Sequence, residues 1–214
     1  MDNAPITLLL VVVTCLISWR AFEDRILMQR LIFYPYAIQE RNEWYRFLSS
    51  GFVHADWMHL LFNMIALYSF GQNVENALVV IMGKGIGSAL YIALYFISKI
   101  GGGLPTFLNH RYNATYRALG ASGAVSGVVF ASIFFFPLTG LLIFPIPIPL
   151  PAVVFGFAYL AYSSYMSRHG NDNIGHDAHF GGAVTGFMFM LVWDQLACEG
   201  YYRTAFLQQI IGSF

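Results

Sequence analysis

The segment ALGASGAVSGVVFASIFFFP, residues 118–137, carries no charge, and its first half consists almost entirely of small residues. Two pairs of small residues in it are spaced four apart, Gly123 with Gly127 and Ser122 with Ser126. Inside a bilayer, this spacing allows a second helix to approach the backbone closely. The segment therefore predicts a tightly packed membrane helix. Ser122 is a candidate nucleophile, and a plain helix-packing face is the alternative interpretation of the same residues.

The composition also indicates a membrane protein. Hydrophobic residues make up 57% of the chain and charged residues 10%, with 11 basic and 11 acidic side chains. A water-soluble domain would carry about a quarter charged residues. Zero net charge without a basic run argues against nucleic-acid binding. Cys15 and Cys198 make neither a disulfide framework nor a zinc site, and no metal or cofactor is expected.

Apolar segments predict six membrane helices in one domain. They cover residues 3–19, 57–74, 85–100, 122–136, 152–166 and 178–193. The uncharged stretch between the fourth and fifth segments is interrupted by Gly140 and several prolines, which end helices. We therefore expect an all-α membrane protein, a bundle of six transmembrane helices. The single domain covers residues 1–214, with a core of about 5–195 and a short C-terminal tail, 196–214.

The connection between the first two helices, residues 20–50, combines five arginines with a high density of aromatic residues. Arginine and aromatic side chains together are typical of the headgroup region of a bilayer. We therefore expect an interfacial loop rather than a plain solvated one.

A few polar side chains fall inside the predicted membrane helices, where they are costly and usually mark function. His59 and Asn63 are four apart and share one helix face. His179 lies on the same face as Gly182 and Gly186, so packing of that face on the fourth helix brings His179 towards Ser122. Each residue alone has an ordinary packing interpretation. Together they supply a nucleophile, a base and hydrogen-bond donors.

Four motifs, in this order along the chain, resemble those of the rhomboid intramembrane serine proteases. They are Trp44-Tyr-Arg46, His54-x4-His59-x3-Asn63, Gly120-Ala-Ser-Gly-Ala124 and Ala178-His179-x2-Gly182-x3-Gly186. The resemblance covers about residues 5–195 and implies a rhomboid-like bundle with a membrane-embedded first loop, residues 20–50. It also implies an endopeptidase whose substrates are transmembrane proteins in the bilayer.

The resemblance assigns roles to individual residues. Ser122 and His179 form a catalytic dyad, working through an acyl-enzyme. The oxyanion is stabilised by His59, Asn63 and the Ser122 backbone N–H. Structural support comes from Trp44, Arg46, His54, Gly182 and Gly186.

One position departs from the family pattern. Relatives often carry an aromatic residue four positions after the serine, stacked on the histidine, whereas this chain has Ser126 there. Asp177 precedes His179 by two residues and points elsewhere on a helix, so no acidic third member is expected. His176 is expected to belong to a loop.

Other classes of protein fit the residues less well. A metalloprotease would use His176, Asp177 and His179, but the His-Glu-x-x-His signature is absent. An aspartyl protease needs two aspartates on membrane helices. A non-catalytic rhomboid-like binding factor or a transporter is the main alternative, and the variant Ser122→Ala separates it from an enzyme.

The expected location is a bacterial inner membrane with both termini in the cytoplasm, as the resemblance implies. That orientation puts nine Lys and Arg residues outside and two inside, Lys84 and Arg203. The positive-inside rule predicts the reverse. We retain the family orientation because the first loop of relatives is a folded, partly embedded structure, whose arginines need not act as flanking charges.

Overall fold

The computed structural model describes residues 4–143, 146–169 and 175–212. Some expectations fall partly outside these ranges. These are the start of the first helix at Asn3, the proline at position 145, residues 170–174 of the last connection, and the end of the tail at 213–214.

Within these ranges the chain is mostly helical. The helices are α1 (Pro5–Glu23), α2 (Arg25–Leu31), α3 (Pro35–Arg41), α4 (Arg46–Ser49), α5 (Trp57–His110), α6 (Ser122–Phe135), α7 (Ala152–His169), α8 (His176–Ala197) and α9 (Tyr201–Ile211), with a 3₁₀ turn at Ser50–Phe52. The predicted segments are therefore helical. Most of their ends differ by a few residues, but the second segment continues to Met82 and the third to His110, eight and ten residues beyond the predicted ends.

The mostly helical chain agrees with the predicted all-α class, but the proline-rich stretch between α6 and α7 contains two short strands. Strands β1 (Gly140–Ile143) and β2 (Ile146–Pro151) form an antiparallel pair there, with Leu141 opposite Leu150. The physical reason lies in the alternating prolines of β2. Proline lacks a backbone donor, and the residue before a proline is pushed towards extended backbone.

Helix α5 is a hairpin of two helices that meet at Gly83. Gly83 has φ 79° and ψ 160°, a conformation that interrupts the helix and that glycine adopts without strain. The two halves then pack closely, because a Cβ on Gly87 would lie 2.5 Å from the carbonyl oxygen of Leu78. This break corresponds to the boundary predicted between the second and third helices, although the first half continues beyond Val74.

Helix α6 forms the centre of the molecule. Every residue from Gly123 to Phe135 is buried, and α5 and α8 pack against it. Gly182 of α8 contacts the backbone of Gly123, and Gly186 contacts the backbone of Gly127. The predicted contact between two glycine-lined faces is confirmed, and it aligns the first turn of α8 with the first turn of α6.

The first loop is folded against the end of α5. It contains α2, α3 and α4, and its aromatic residues Phe33 and Phe47 pack with Phe107 of α5. Phe33 also exchanges two backbone hydrogen bonds with Ala118, at 2.8 and 3.0 Å. The loop therefore extends to the segment that precedes α6.

The C-terminal segment, predicted as a short tail, contains the helix α9. The buried carboxylate of Asp194 accepts hydrogen bonds from the backbone N–H groups of Tyr202 and Arg203, both at 2.9 Å. These bonds satisfy the otherwise unpaired donors at the start of a helix. Phe206 of α9 then packs against Phe134 of α6.

Three described helices are long and apolar enough to cross a membrane: Pro5–Glu23, Trp57–His110 and His176–Ala197. Helix α6 is a shorter apolar helix of 14 residues. The two halves of α5, on either side of Gly83, are each roughly 40 Å long at about 1.5 Å per residue, which is enough for one crossing each. Six crossings in total remain a prediction.

Candidate functional site

Ser122 is the first residue of α6 and is half-buried. The turn before it is held at three points. The Gly120 N–H donates to the Ser50 carbonyl at 2.9 Å, the Gly120 carbonyl accepts from Lys99 Nζ at 3.1 Å, and the Ala121 N–H donates to His54 Nε2 at 3.2 Å. The turn thus has little freedom. The first N–H groups of a helix have no acceptor within that helix, and the N–H of Ser122 is one of these groups in α6.

His54 is fully buried and links this turn to α1. Its Nε2 accepts from Ala121, so its Nδ1 carries the proton and donates to Ser18 Oγ at 3.0 Å. Ser18 in turn donates to the Phe52 carbonyl at 2.9 Å. This chain requires a neutral imidazole, and burial, followed by the nearby His59 and Lys99, lowers the pKa of His54 to about 3. His54 thus connects the turn before α6 to α1 and to the Phe52 carbonyl, and its supporting role stays a prediction.

His59 lies in the first turn of α5, where the carboxylate of Asp56 accepts its backbone N–H at 2.8 Å. Its Nδ1 accepts a long 3.5 Å bond from the Ala55 N–H, which leaves the proton on Nε2. A Cβ on Gly120 would lie 3.0 Å from His59 Nε2 and 3.9 Å from Ser122 Oγ. The Nε2–H donor and the serine hydroxyl therefore both lie near the position that a Cβ on Gly120 would occupy.

Asn63 follows His59 by one helical turn and is buried. Its Nδ2 donates to the His59 carbonyl at 2.9 Å, which fixes the amide against its own helix. An amide nitrogen carries two protons, so a second donor remains on the same atom.

His179 is the fourth residue of α8 and is half-buried. Its neighbour Ala178 is in the contact between helices, because its carbonyl oxygen lies 3.3 Å from the position of a Cβ on Gly123. The residue before His179 therefore contacts the residue after Ser122. The first turns of α6 and α8 are thus in contact at the positions next to the two predicted reactive residues.

The imidazole of His179 has an aromatic neighbour on α7 that no sequence motif predicted. The ring of Tyr159 is stacked near it, with centroids 6.1 Å apart and planes at 21°. The Tyr159 hydroxyl forms a 2.8 Å hydrogen bond with Ser126 Oγ. Tyr159 is distant in sequence from both residues, and its only signal was the absence of an aromatic residue at position 126.

His176 is placed differently from the expectation. It is the first residue of α8 rather than part of a loop, and it is buried. Its ring lies 5.9 Å from that of His179 and 5.6 Å from that of Tyr162, each in an edge-to-face arrangement. The helix begins two residues earlier than predicted, which brings His176 into the aromatic surroundings of His179.

The motif Trp44-Tyr-Arg46 lies in the first loop and supports its structure. The Arg46 guanidinium donates to the carbonyls of Gln29 at 3.0 Å and Ile32 at 2.8 Å, and it pairs with Glu43. Trp44 packs on Phe47 and Phe107. Arg46 therefore connects the end of α2 to α4. Across the described ranges, no three His, Cys, Asp or Glu side chains converge as a metal site would require.

The fold and this group of polar residues define an integral membrane protein with a serine and a histidine at the facing ends of two central helices. The chain belongs to the rhomboid family, since residues 41–194 match the Rhomboid domain. The family predicted from the four motifs is thereby confirmed.

Known relatives come from several organisms. The chain is 26% identical to "RHOMBOID-like protein 12, mitochondrial" of Arabidopsis thaliana, over 87% of this chain and 56% of the relative. It is 30% identical to "Rhomboid protein 1, mitochondrial" of Saccharomyces cerevisiae, over 66% of this chain and 40% of the relative. It is 29% identical to "Rhomboid protease GluP" of Bacillus subtilis, over 69% of this chain and 25% of the relative. The aligned part thus spans between a quarter and just over half of these relatives.

Proposed function

We propose that this protein is an intramembrane serine endopeptidase that cleaves transmembrane segments of membrane proteins by a Ser–His dyad. The observation that supports the proposal is the contact between the first turns of α6 and α8, where Gly123 and Ala178, the sequence neighbours of Ser122 and His179, lie against each other. Membership of a family in which relatives are named rhomboid proteases supports the class of reaction.

In the acylation step, Ser122 Oγ attacks the carbonyl carbon of the scissile peptide, and His179 takes the hydroxyl proton as general base. The tetrahedral intermediate collapses when the C–N bond breaks. His179 then gives its proton to the leaving amine, and the remaining acyl group is held as an ester on Ser122. In deacylation, a water molecule loses a proton to His179 and attacks the ester. The carboxylic product leaves, and the proton returns to Ser122 Oγ.

Donors around Gly120 would stabilise the negative oxygen of both tetrahedral states. They are the Ser122 backbone N–H, His59 Nε2–H and the second amide proton of Asn63. The positions of His59 Nε2 and Ser122 Oγ, both near the Cβ position of Gly120, support this assignment. Removing one donor of such a site costs about 10²–10³ in kcat.

The proposed dyad works without an acidic third residue. Asp177, the carboxylate nearest to His179 in sequence, accepts hydrogen bonds from Ser167 Oγ and Asn109 Nδ2 instead. Its side chain is thus engaged away from the imidazole. The proposed mechanism uses no cofactor and no metal, and its substrates reach Ser122 from the lipid bilayer.

The test is cleavage of a fluorescent transmembrane substrate by purified protein in proteoliposomes. Ser122→Ala and His179→Ala should each lose cleavage, and Ser122→Ala should also lose covalent labelling by a fluorophosphonate. Ser132→Ala is the matched control, because Ser132 is a buried serine of the same helix. Cleavage that persists in Ser122→Ala would exclude the serine mechanism. A membrane-protein binding factor would instead keep its cellular function in that variant.

We also propose that both termini face the cytoplasm. Two of the nine basic residues on the opposite side in this orientation are not free flanking charges. Lys99 is buried and donates a hydrogen bond to the Gly120 carbonyl. Arg46 is also buried and donates hydrogen bonds to carbonyls of the first loop. The conflict with the positive-inside rule is thereby smaller. A reporter that is active only in the cytoplasm, fused after Phe214, should be active in cells that show protease activity; a silent reporter would reverse the orientation.

A further inference from the structure

The imidazole of His179 lies between two aromatic rings. The Tyr159 ring is stacked on one side with an interplanar angle of 21°, and the His176 ring meets it edge-on at 76°. Offset stacking at centroid distances of 4.5–7 Å is a favourable arrangement of rings. Tyr159 is therefore placed to determine the plane in which the His179 ring lies.

Tyr159 is itself held in position. Its hydroxyl shares a 2.8 Å hydrogen bond with Ser126, and its ring packs between those of Phe130 and Phe155, at 6.2 and 5.8 Å. A ring fixed at its hydroxyl and along its faces has little freedom to rotate. It can therefore act as a rigid surface for a neighbouring imidazole.

Ser126 connects Tyr159 to the nucleophile. It follows Ser122 by four residues on α6, so the two serines occupy the same helix face. A bulky residue at position 126 would fill the space into which the Tyr159 hydroxyl extends. The small serine leaves that space open and supplies a hydrogen-bonding partner.

We propose that Tyr159 is a positioning residue that orients the His179 ring towards Ser122, and that Ser126 acts by holding the Tyr159 hydroxyl. This inference rests on the proposed function, in which His179 is the general base. Helix α7, which carries no residue of the proposed dyad or oxyanion site, thereby contributes to the chemistry. Since misplacement of a reacting group by about 1 Å can cost 10²-fold in rate, the effect should appear in kcat.

The experiment compares kcat and KM of four variants in proteoliposomes. Tyr159→Leu, which removes the ring, should lower kcat about 10- to 100-fold and change KM by less than about twofold. Tyr159→Phe and Ser126→Ala, which remove only the hydrogen bond, should each cause a smaller and equal loss. The double variant Ser126→Ala/Tyr159→Phe should lose no more than either single one, because both remove the same bond.

Tyr165→Leu is the matched control, since Tyr165 lies on α7 and stacks on His169 rather than on His179. It should keep the wild-type kcat. Wild-type kcat in Tyr159→Leu, or a raised KM at unchanged kcat, would overturn the proposal. If Tyr159→Leu fails to fold, the two milder variants still decide, because additive or absent losses would also overturn it.

A second readout does not need turnover. In Ser122→Ala protein with ¹³C-labelled histidine, Tyr159→Leu should shift the His179 ring resonances, whereas Tyr165→Leu should not. Unchanged resonances would exclude the stacking. The two proposals fail separately: cleavage by Ser122→Ala would refute the serine protease, while normal kcat in the Tyr159 variants of an otherwise Ser122-dependent enzyme would refute only the positioning role.

Discussion

Gly182 of α8 lies so close to the carbonyl group of Gly123 in α6 that no side chain fits between the two helices. Gly186 has the same relationship to Gly127 one turn further on. These contacts set the distance between the helices that carry His179 and Ser122. The close approach is therefore a requirement of the site as well as of the fold.

Gly182→Ala should separate the two helices and lower both stability and activity. Overpacking a buried contact costs about 1–3 kcal/mol, and a shift of the dyad by about 1 Å costs roughly 10²-fold in rate. Thermal unfolding in detergent and cleavage assays measure the two effects. Gly85→Ala is the control, because a Cβ there meets no atom within 4 Å. Equal behaviour of the two variants would show that the contact between α6 and α8 is not critical.

Gly120→Ala should abolish activity through the position of His59. Gly120 has φ 114°, and a Cβ there would lie 2.9 Å from His59 Cε1. The variant therefore combines backbone strain of about 1–3 kcal/mol with displacement of the imidazole. Gly83→Ala separates the two causes, since Gly83 has φ 79° and nothing within 4 Å of its Cβ position. We expect both variants to be less stable, but only Gly120→Ala to lose kcat; equal kcat in both would contradict the role of His59.

Local spacing in the sequence predicted much of this site. Residues four apart lie on the same face of any α-helix. The spacing of the glycines after His179 and of the small residues around Ser122 therefore predicted the contact between α6 and α8. The same reasoning placed His59 and Asn63 on one face. The predictions succeeded where a short motif alone determines the geometry.

Long-range contacts explain what the sequence could not predict. Tyr159 reaches His179 only because α7 packs beside α6 and α8, and no local pattern on α7 distinguishes it from other aromatic residues. Helix α9 depends on the Asp194 carboxylate, which looked like the simple end of a membrane helix. In both cases the decisive partner is known only once the helices are packed.

Acidification should destabilise the protein through His54. Burial lowers the pKa of this group from 6.5 to about 3, so between these values the unfolded chain binds a proton that the folded chain does not. Stability contributed by neutral His54 is complete above pH 6.5 and falls as the pH decreases towards 3, by at most about 1.4 kcal/mol per pH unit. Thermal unfolding of wild type, His54→Gln and the exposed control His169→Gln at pH 7.5 and 4.5 measures this. His54→Gln should be less stable at pH 7.5 and lose less on acidification; an unchanged pH dependence would assign the effect to other groups.

Lys99→Met should impair catalysis more than folding. The buried Lys99 Nζ donates to the Gly120 carbonyl at 3.1 Å, and Gly120 lies two residues before Ser122. Loss of this bond frees the peptide that orients the proposed oxyanion donors, and we expect kcat to fall about tenfold. The unfolding temperature should change little, because the variant also removes the cost of burying an ammonium group. Lys84→Met, on the exposed part of the same helix hairpin, should behave as wild type. Full activity of Lys99→Met would reduce this lysine to a packing role.

Glu75→Gln should destabilise the attachment of α1 without changing the chemistry. The fully buried Glu75 carboxylate accepts the backbone N–H groups of Ile6 at 3.0 Å and Thr7 at 2.8 Å, together with the Thr7 hydroxyl at 2.8 Å. Glu75, which lies on α5, thus caps the first turn of α1. A glutamine amide nitrogen cannot accept a hydrogen bond, so one buried donor loses its partner, at a cost of roughly 2–3 kcal/mol.

Thermal unfolding of Glu75→Gln in detergent should therefore show a lower midpoint, while kcat measured well below that midpoint stays near the wild-type value. Glu23→Gln is the matched control, because Glu23 lies at the exposed end of α1 with 62% of its side chain accessible. An unfolding midpoint equal to that of wild type would contradict the role of the Glu75 carboxylate in holding the first turn of α1. A loss of kcat at full stability would mean that a shift of α1 changes the geometry of the site through the hydrogen bond between Ser18 and His54.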